Sequence, residues 1–474
     1  MGACYKRERY TIGSASVRPP RHDPPPDADN LLRPGSCLLD VEAYLDNRRN
    51  ATTASCKARN GALIRVTFFI AHPPRLSHFT VCCPGKSPYQ LFADEPSVVA
   101  AEEDLVLIRM AFRPVTDACI LRKFDFFIYR AAGGGRAPSL TRILPPKPFV
   151  FLKNCHVALL PRYEEDPHLY YIVILHKRTV PPHRQQEEDD IRFDIHIYSS
   201  KTASWSCKPT SLVKQSDHDR VCHFTSYKVI TIGGEGGAVA WVDLWRGFLQ
   251  CDVLKETVPT LYYGRLPPDL DHSSNRHSDP HIRRDVALIQ GRIKVVRLQT
   301  KPCPEIPYRR QGWTFAIYSR TAANPCEVGW QQDGNAIELD ANYVSANPMV
   351  LQYLPKLPDD TSGTPEPSPE TTEKRLRNLT CPMLSLHQDD HVYVMARVSS
   401  SDIRWDGSNL GLGLAFDLSK GTLEKVVQVN AARSFWGLVF FIMPSRISKY
   451  LDMYPGSRGK GKPGKGSASS SSSA

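Results

Sequence analysis

The stretch Phe-Asp-Phe-Phe-Ile-Tyr at Phe124–Tyr129 decides the fold, because related stretches recur along the chain. It returns as Phe-Asp-Ile-His-Ile-Tyr at Phe193–Tyr198, which begins 69 residues later. Weaker copies stand at Trp313–Tyr318 and Leu412–Asp417. In each copy apolar residues tend to alternate with other types, which is the two-residue period of a β-strand. A recurring strand segment predicts a fold built from similar units.

The residues around the copies complete a repeating unit. A hairpin-like apolar segment precedes each copy, and a polar turn such as Ser199–Thr202 or Ser419–Gly421 leads to a further strand. Four-stranded units of this kind, arranged radially, leave only short sheet edges. The sequence therefore predicts an all-β fold: an irregular β-propeller of about six four-stranded blades over residues 36–440, with few short helices. A pair of β-sandwiches is the alternative architecture.

Two hairpins and two helices are predicted in detail. Arg284–Leu298 alternates on both sides of Gln290-Gly291, which has the composition of a tight hairpin turn. Met383–Val398 repeats the pattern around Gln388-Asp389-Asp390. Short helices are predicted at Val41–Arg48 and Ser445–Tyr454.

Composition divides the chain into one folded region and its flanks. Residues 1–34 form a leader rich in proline and arginine, and residues 456–474 a tail of glycine, lysine and serine. Neither composition supplies the apolar surface that a packed core needs. We therefore predict one propeller-like domain at 35–445, with a proline-rich loop at 355–375 and a short helix or extension at 446–455.

Charge and cysteine content narrow the classes of function. The formal net charge of the 474 residues is +11, but four of the cations lie in the 456–474 segment, which lacks acidic residues. Nucleic-acid binding is therefore only a third possibility. The thirteen cysteines include no Cys-x-x-Cys pair, which favours reduced thiols in the cytoplasm or nucleus. The longest apolar run, Phe435–Met443, is too short to cross a bilayer, so no membrane association is predicted.

Several motifs resemble a known family. The most distinctive are Gly233–Gly237, Trp241–Gly247 and Cys251–Leu254, joined by Leu38-Leu39-Asp40, Tyr44 and Arg49–Ala54 near the start. Together they resemble the plant family known as domain of unknown function 1618, over residues 37–430. That family is similar in strand pattern to the β-propeller regions that accompany F-box motifs. The resemblance implies a propeller-like region and no assigned activity.

The same motifs contain the two candidate sites. Gly233, Gly234, Gly236 and Gly237 are candidates for a backbone nest that binds an anion, and a tight hairpin is the alternative. Trp241, Asp243, Trp245 and Arg246 combine residue types that are common in binding hot spots, and they are the candidate partner-binding surface. The alternative is that the tryptophans wedge between blades while Asp243 ties down a turn.

Other polar clusters favour solvated loops. Glu187–Asp190 with Asp194 is charged throughout, as an exposed loop would be. His272, His277 and His281 have spacings that a metal could use, but their segment lacks the apolar residues that hold metal ligands rigid.

The sequence thus predicts a non-catalytic protein-interaction scaffold, monomeric, with no catalytic residues and with no cofactor or metal. No nucleophile elbow, zinc helix or nucleotide-binding fingerprint is present. The second hypothesis is a propeller-type hydrolase with carboxylates at the propeller mouth, because propeller enzymes assemble their sites from separate blades. The third is a basic nucleic-acid-associated protein.

Overall fold

The computed structural model describes most of the chain from Arg33 to Met453. The described ranges are residues 19–20, 33–113, 124–133, 135–146, 154–178, 192–213, 221–255, 258–270, 278–304, 310–323, 329–354, 376–398, 410–433 and 440–453. The predicted leader and tail, the loop at 355–375, the acidic run Glu187–Asp190, and His272 and His277 lie mainly or wholly outside these ranges.

Strands dominate the first half of the fold. Blade 1 contains β1 (Cys37–Asp40), β2 (Ala54–Lys57), β3 (Leu63–Phe69) and β4 (Leu76–Cys82), and a short helix α1 (Pro88–Leu91) follows. Blade 2 contains β5 (Ser97–Glu102), β6 (Leu105–Ala111), β7 (Phe124–Arg130) and β8 (Ser139–Ile143). Blade 3 contains β9 (Val157–Pro161), β10 (Tyr170–Lys177), β11 (Phe193–Ser199) and β12 (Ser204–Pro209).

The second half follows the same plan. Blade 4 contains β13 (Ser211–Leu212), β14 (Lys228–Gly233), β15 (Ala238–Asp243), β16 (Gly247–Asp252) and β17 (Thr260–Arg265). Blade 5 contains β18 (Arg284–Ile289), β19 (Arg292–Pro302), β20 (Arg310–Thr321), β21 (Gln331–Gln332) and β22 (Ile337–Asp340), followed by α2 (Ala341–Ser345) and α3 (Pro348–Leu351). Blade 6 contains β23 (Leu376–Leu384), β24 (His391–Val398), β25 (Leu410–Asp417) and β26 (Thr422–Asn430), and the last strand is β27 (Ile442–Ser445).

The six sheets form a six-bladed β-propeller, as the sequence predicts. Six buried apolar clusters each join one blade to the next, and the sixth joins blade 6 to blade 1. Three sheets have four strands and three have five. The four copies of the sequence repeat lie in β7, β11, β20 and β25, and each of these is the third strand of its blade.

The first and last strands close the ring within one sheet. β27 pairs antiparallel with β1, in the register Cys37 with Ser445 and Leu39 with Met443. β1 in turn pairs parallel with β4, through Leu38 and Leu76. The region where the chain passes from blade 6 to blade 1 is called the seam below.

The two hairpin predictions are confirmed, and the first helix prediction is wrong. Gln290 and Gly291 both have positive φ values, of 49° and 72°, between the paired strands β18 and β19. β23 and β24 pair across Ser385–Asp390. Residues 41–48 are extended and bridge two blades, because Tyr44 N–H donates to Phe79 O at 2.9 Å and Ala43 N–H donates to Pro96 O at 2.8 Å. After β27 the described chain forms a 3-10 turn at Ile447–Lys449.

The direction of the strands defines two ends of the ring. In an antiparallel four-stranded blade the chain leaves the fourth strand at the end where the first strand begins. The connections between consecutive blades therefore emerge at one end, called the connection face below. In blades 2–6 the turns that join first to second strands and third to fourth strands emerge at the other end, the turn face. Blade 4 is counted from β14, because β13 is an additional strand at its outer edge, beside β17.

Candidate functional site

The glycine-rich stretch is a hairpin turn between β14 and β15. Gly233, Gly234 and Gly237 have φ values of +80°, +72° and +63°, a region that L side chains rarely adopt. Gly237 N–H donates to Gly234 O at 3.0 Å, which closes the turn. Arg162 of blade 3 donates through Nη1 to Gly234 O, and the turn is thereby bonded to its neighbour blade.

Two carbonyl oxygens of this turn are bonded to a cation of the neighbouring blade. Arg162 Nη2 also donates to Glu235 O at 3.3 Å, so two carbonyl oxygens point to a guanidinium. The Asp252 carboxyl lies against Gly236, where a Cβ atom would come within 2.7 Å of Asp252 Cγ. An anion nest needs amide groups turned to the ligand, whereas here carbonyl oxygens and a carboxylate surround the turn. The anion nest at Gly233, Gly234, Gly236 and Gly237 stays a prediction.

The structure places the candidate partner surface inside the molecule. Trp241 is fully buried between blades 3 and 4, and its Nε1 donates to His156 O at 2.9 Å. Trp245 is 4% exposed and lies under the Arg284 guanidinium, with Arg284 Cζ 4.6 Å from the ring centroid. A partner could reach these rings only if blade 4 separated from its neighbours.

Asp243 ties down the turn that follows β15. Its carboxylate accepts hydrogen bonds from Thr225 N at 3.0 Å, from Trp245 N at 2.9 Å and from Arg246 Nη1 at 3.2 Å. Burial raises the pKa of Asp243, although these donors oppose the shift. Of the four candidate residues, only Arg246 retains partial exposure. The two tryptophan side chains therefore lie buried between blades, and Asp243 stabilises the turn that follows β15.

A cluster of mixed charge lies near the axis of the ring, where the first strands of the blades pack on one another. We call Glu102, Lys228, Thr231, Asp285 and Arg446 the axis cluster. Lys228 Nζ donates to Asp285 Oδ1 at 2.6 Å. Burial raises the pKa of Glu102 to about 8, and the nearby Arg446 only partly offsets this effect. The carboxyl groups of Glu102 and Asp285 thus lie near the cationic side chains of Lys228 and Arg446.

A second cluster of mixed charge lies on the turn face of blade 6. His391, Asp417 and Glu424 bring their ligand atoms within 4.8 Å of one another, which is close enough to hold a metal ion. Lys420 Nζ, however, donates to Asp417 Oδ2 at 2.6 Å and holds the pKa of Asp417 well below its usual range. The ammonium of Lys420 therefore occupies a position that a cation would need.

The third cluster closes the seam and was missed by sequence reasoning. Arg433, which is 5% exposed, donates through Nη1 to Asp40 at 3.2 Å and through Nη2 to Glu42 at 3.3 Å. Its guanidinium lies 4.3 Å from the centroid of the Tyr44 ring. We call Asp40, Glu42, Tyr44 and Arg433 the seam cluster. Asp40 and Tyr44, two of the motif residues, thus bind blade 6 to blade 1.

The motif at Arg49–Ala54 also has a structural role. Asn50 Oδ1 accepts from Thr52 N at 2.8 Å, and Asn50 Nδ2 donates to Phe68 O at 2.8 Å. Tyr129 of blade 2 donates through its hydroxyl to Thr52 O at 2.8 Å. The turn is therefore fixed to both blade 1 and blade 2.

Of the remaining polar candidates, His281 and Asp194 lie in the part of the chain that the structure describes. His281 Nδ1 lies 2.9 Å from Asp279 Oδ1, and that carboxylate also accepts from His281 N. Asp194 pairs with Arg178 at 2.6 Å.

Among the described residues, ten cysteines are free thiols, and burial raises the pKa of Cys37 to about 11. The part of the chain that the structure describes contains no helix long and apolar enough to cross a membrane.

The fold defines the class of protein as a six-bladed β-propeller closed between its first and last strands. Residues 241–393 match the model of the family described as "Protein of unknown function (DUF1618)", which confirms the family resemblance over that region. Among solved structures the chain is similar to the WD40 domain of SCAP from fission yeast, with 11% identity and a TM-score of 0.30. That match covers 83% of this chain and 90% of the other. No curated protein matches the chain.

Proposed function

We propose that this propeller is a non-catalytic scaffold for protein–protein interaction, and that a partner binds the connections between its blades. One observation carries the proposal. Seven large apolar side chains of the described chain are exposed, and four of them lie in blade-to-blade connections: Tyr89, Leu144, Tyr343 and Phe441. Exposed apolar groups on surface loops are typical of interaction sites.

The charged clusters support a scaffold over a hydrolase. In the axis, seam and turn-face clusters, at least one carboxylate is hydrogen-bonded to a lysine or arginine. A general base needs an unblocked lone pair and a pKa close to the working pH. Lys228 and Lys420 each occupy an oxygen of the carboxylate that they contact, at 2.6 Å, and Lys420 holds the pKa of Asp417 well below its usual range.

The test is affinity capture with matched surface variants. Tyr89→Ser and Phe441→Ser each remove an exposed ring from a connection, whereas Val258→Ser changes an equally exposed apolar residue in the β16–β17 turn. Proteins captured from native tissue by the unchanged chain are expected to be lost from the first two variants and retained by the third. Identical captured sets for all three variants would refute the proposal. A second assay, with ester and glycoside substrates, is expected to show no turnover.

A further inference from the structure

Two histidine side chains meet on one face of blade 3, at the connection-face end of the sheet. His176 lies near the end of β10 and His196 in β11, and the centroids of their rings are 6.0 Å apart. His176 pairs with Asp194 in the sheet register, and Asp194 precedes His196 by two residues. The three side chains therefore share one face, and the two imidazoles are diagonal neighbours on adjacent strands.

A second observation points to a ligand independently, because His196 is buried without a hydrogen-bond partner. It is 5% exposed, and its ring contacts His176 but makes no hydrogen bond within the part of the chain that the structure describes. Buried polar groups are almost always paired, so the ring nitrogens of His196 are available to a ligand. Neither nitrogen is among the unpaired atoms that are sealed from solvent, and His176 is only half-buried, so an ion can reach the pair.

The surroundings hold the rings in place and do not repel a cation. Ile174, opposite His196, and Tyr198, two residues further along β11, are buried in the cluster shared with blade 2. Such packing restricts the orientation of the rings, as metal ligands require. Arg178 binds both carboxylate oxygens of Asp194, at 2.5 and 2.6 Å. That pair is neutral as a whole, so the imidazole nitrogens are the donors that remain for a metal ion.

The separation of the rings fits one bridging ion. A Zn–N bond is about 2.1 Å long and an imidazole nitrogen lies about 1.1 Å from the ring centre, so two rings on one ion have centroids at most about 6.4 Å apart. The observed separation of 6.0 Å lies within this limit. Imidazole is a preferred ligand of zinc, copper and nickel ions.

We propose that His176 and His196 together bind one divalent transition-metal ion that prefers imidazole ligands, such as Zn²⁺. Water completes the coordination, which leaves the ion open to a further ligand at the connection-face end of blade 3. This proposal is independent of the scaffold function, because it requires no partner protein.

A titration of the unchanged full chain with Zn²⁺ alone tests the site. The assigned ring resonances of the 15 histidines are followed by NMR. At one equivalent of Zn²⁺ we expect shifts of the His176 and His196 rings and of no other ring. Unshifted His176 and His196 resonances would overturn the proposal, whether or not any variant folds.

Matched variants measure the contribution of each ring. His176→Gln changes a half-buried position, and we expect the Zn²⁺ affinity measured by calorimetry to fall at least tenfold. His196→Gln is expected to have the same effect, because one site needs both rings. His168→Gln, on the exposed β9–β10 turn, is the control and is expected to retain the affinity. Equal affinities of the unchanged chain and His176→Gln would place the ion elsewhere and overturn the proposal.

Discussion

At the residue scale, the motif side chains pack blades together and tie turns. Trp241 donates to His156 O of blade 3, Tyr44 lies under Arg433, and Tyr129 donates to Thr52 O across two blades. The two hydrogen bonds each satisfy a polar atom at a blade boundary, where an unpaired buried group would cost about 1–3 kcal/mol. The motif residues therefore hold neighbouring blades of the ring together.

The raised pKa of Glu102 predicts a pH-dependent stability. The pKa is about 8 in the fold, against an ordinary value of 4.5, so the folded state binds the proton more tightly than the unfolded state does. The resulting stabilisation is complete below pH 4.5 and is lost as the pH rises through 8, by at most about 1.4 kcal/mol per pH unit. Glu102→Gln cannot ionise, so its unfolding free energy is expected to fall less between pH 5 and pH 8.5.

Urea unfolding at pH 5, 7 and 8.5 measures this difference, with Glu338→Gln as the exposed control. Parallel pH dependence for Glu102→Gln and the unchanged chain would contradict the raised pKa of Glu102.

At the scale of single elements, β15 shows why sequence reasoning misplaced the candidate surface. Val239 and Trp241 face the cluster shared with blade 3, whereas Ala240 and Val242 face the cluster shared with blade 5. A strand inside a blade is covered on both faces, so the two-residue period selects between two buried environments. Alternation alone cannot distinguish this case from a strand with one exposed face.

The strands that sequence reasoning found are those with a repeated local signature. The copies in β7 and β11 begin with Phe-Asp and end in Ile-Tyr, so their similarity was visible without a structure. The third strand of blade 4, β16, begins with Gly247 and was missed. A side chain at that position would meet the neighbouring strand β17. Close packing between the two strands therefore determines the residue there, and the repeated sequence is absent.

The close approach of β16 and β17 makes a prediction at this scale. A Cβ atom at Gly247 would lie 2.3 Å from Gly264 O, a main-chain atom that cannot move without breaking the sheet. Gly247→Ala is therefore expected to lower the unfolding free energy by about 1–3 kcal/mol. Gly133→Ala is the control, because a Cβ there meets nothing within 4 Å, and its effect is expected to stay within about 0.5 kcal/mol. Equal effects of the two changes in urea unfolding would contradict the described pairing.

At the scale of the whole molecule, closure of the ring depends on contacts that no local pattern predicts. Asp40 and Arg433 are 393 positions apart in the chain. Asp40 is one of the motif residues, but the sequence carries no signal for its partner, because ion pairs over such distances leave no periodic trace. The extended bridge at residues 41–48 was mistaken for a helix for the same reason, since its backbone partners Phe79 and Pro96 lie far along the chain.

Arg433→Met tests the closure directly. Removal of the guanidinium leaves the partly buried carboxylates of Asp40 and Glu42 without their cation, and breaking a buried ion pair costs up to about 3–5 kcal/mol. The pKa of Asp40 is already about 6 beside Arg433, and it rises further without the cation. The stability deficit of the variant is therefore expected to grow as the pH rises from 5 to 8. A deficit in thermal unfolding that is the same at both pH values would contradict this account of the seam.

The central claim is that a partner binds the connections between blades, and cross-linking of the native complex tests it most directly. An amine-reactive cross-linker is applied to the complex, and the linked lysines of this chain are identified by mass spectrometry. Lys86 lies in the connection between blades 1 and 2, whereas Lys201, Lys255 and Lys420 lie in third-to-fourth-strand turns. We predict that links to the partner come mainly from Lys86. Links that come mainly from the three turn lysines would contradict the claim.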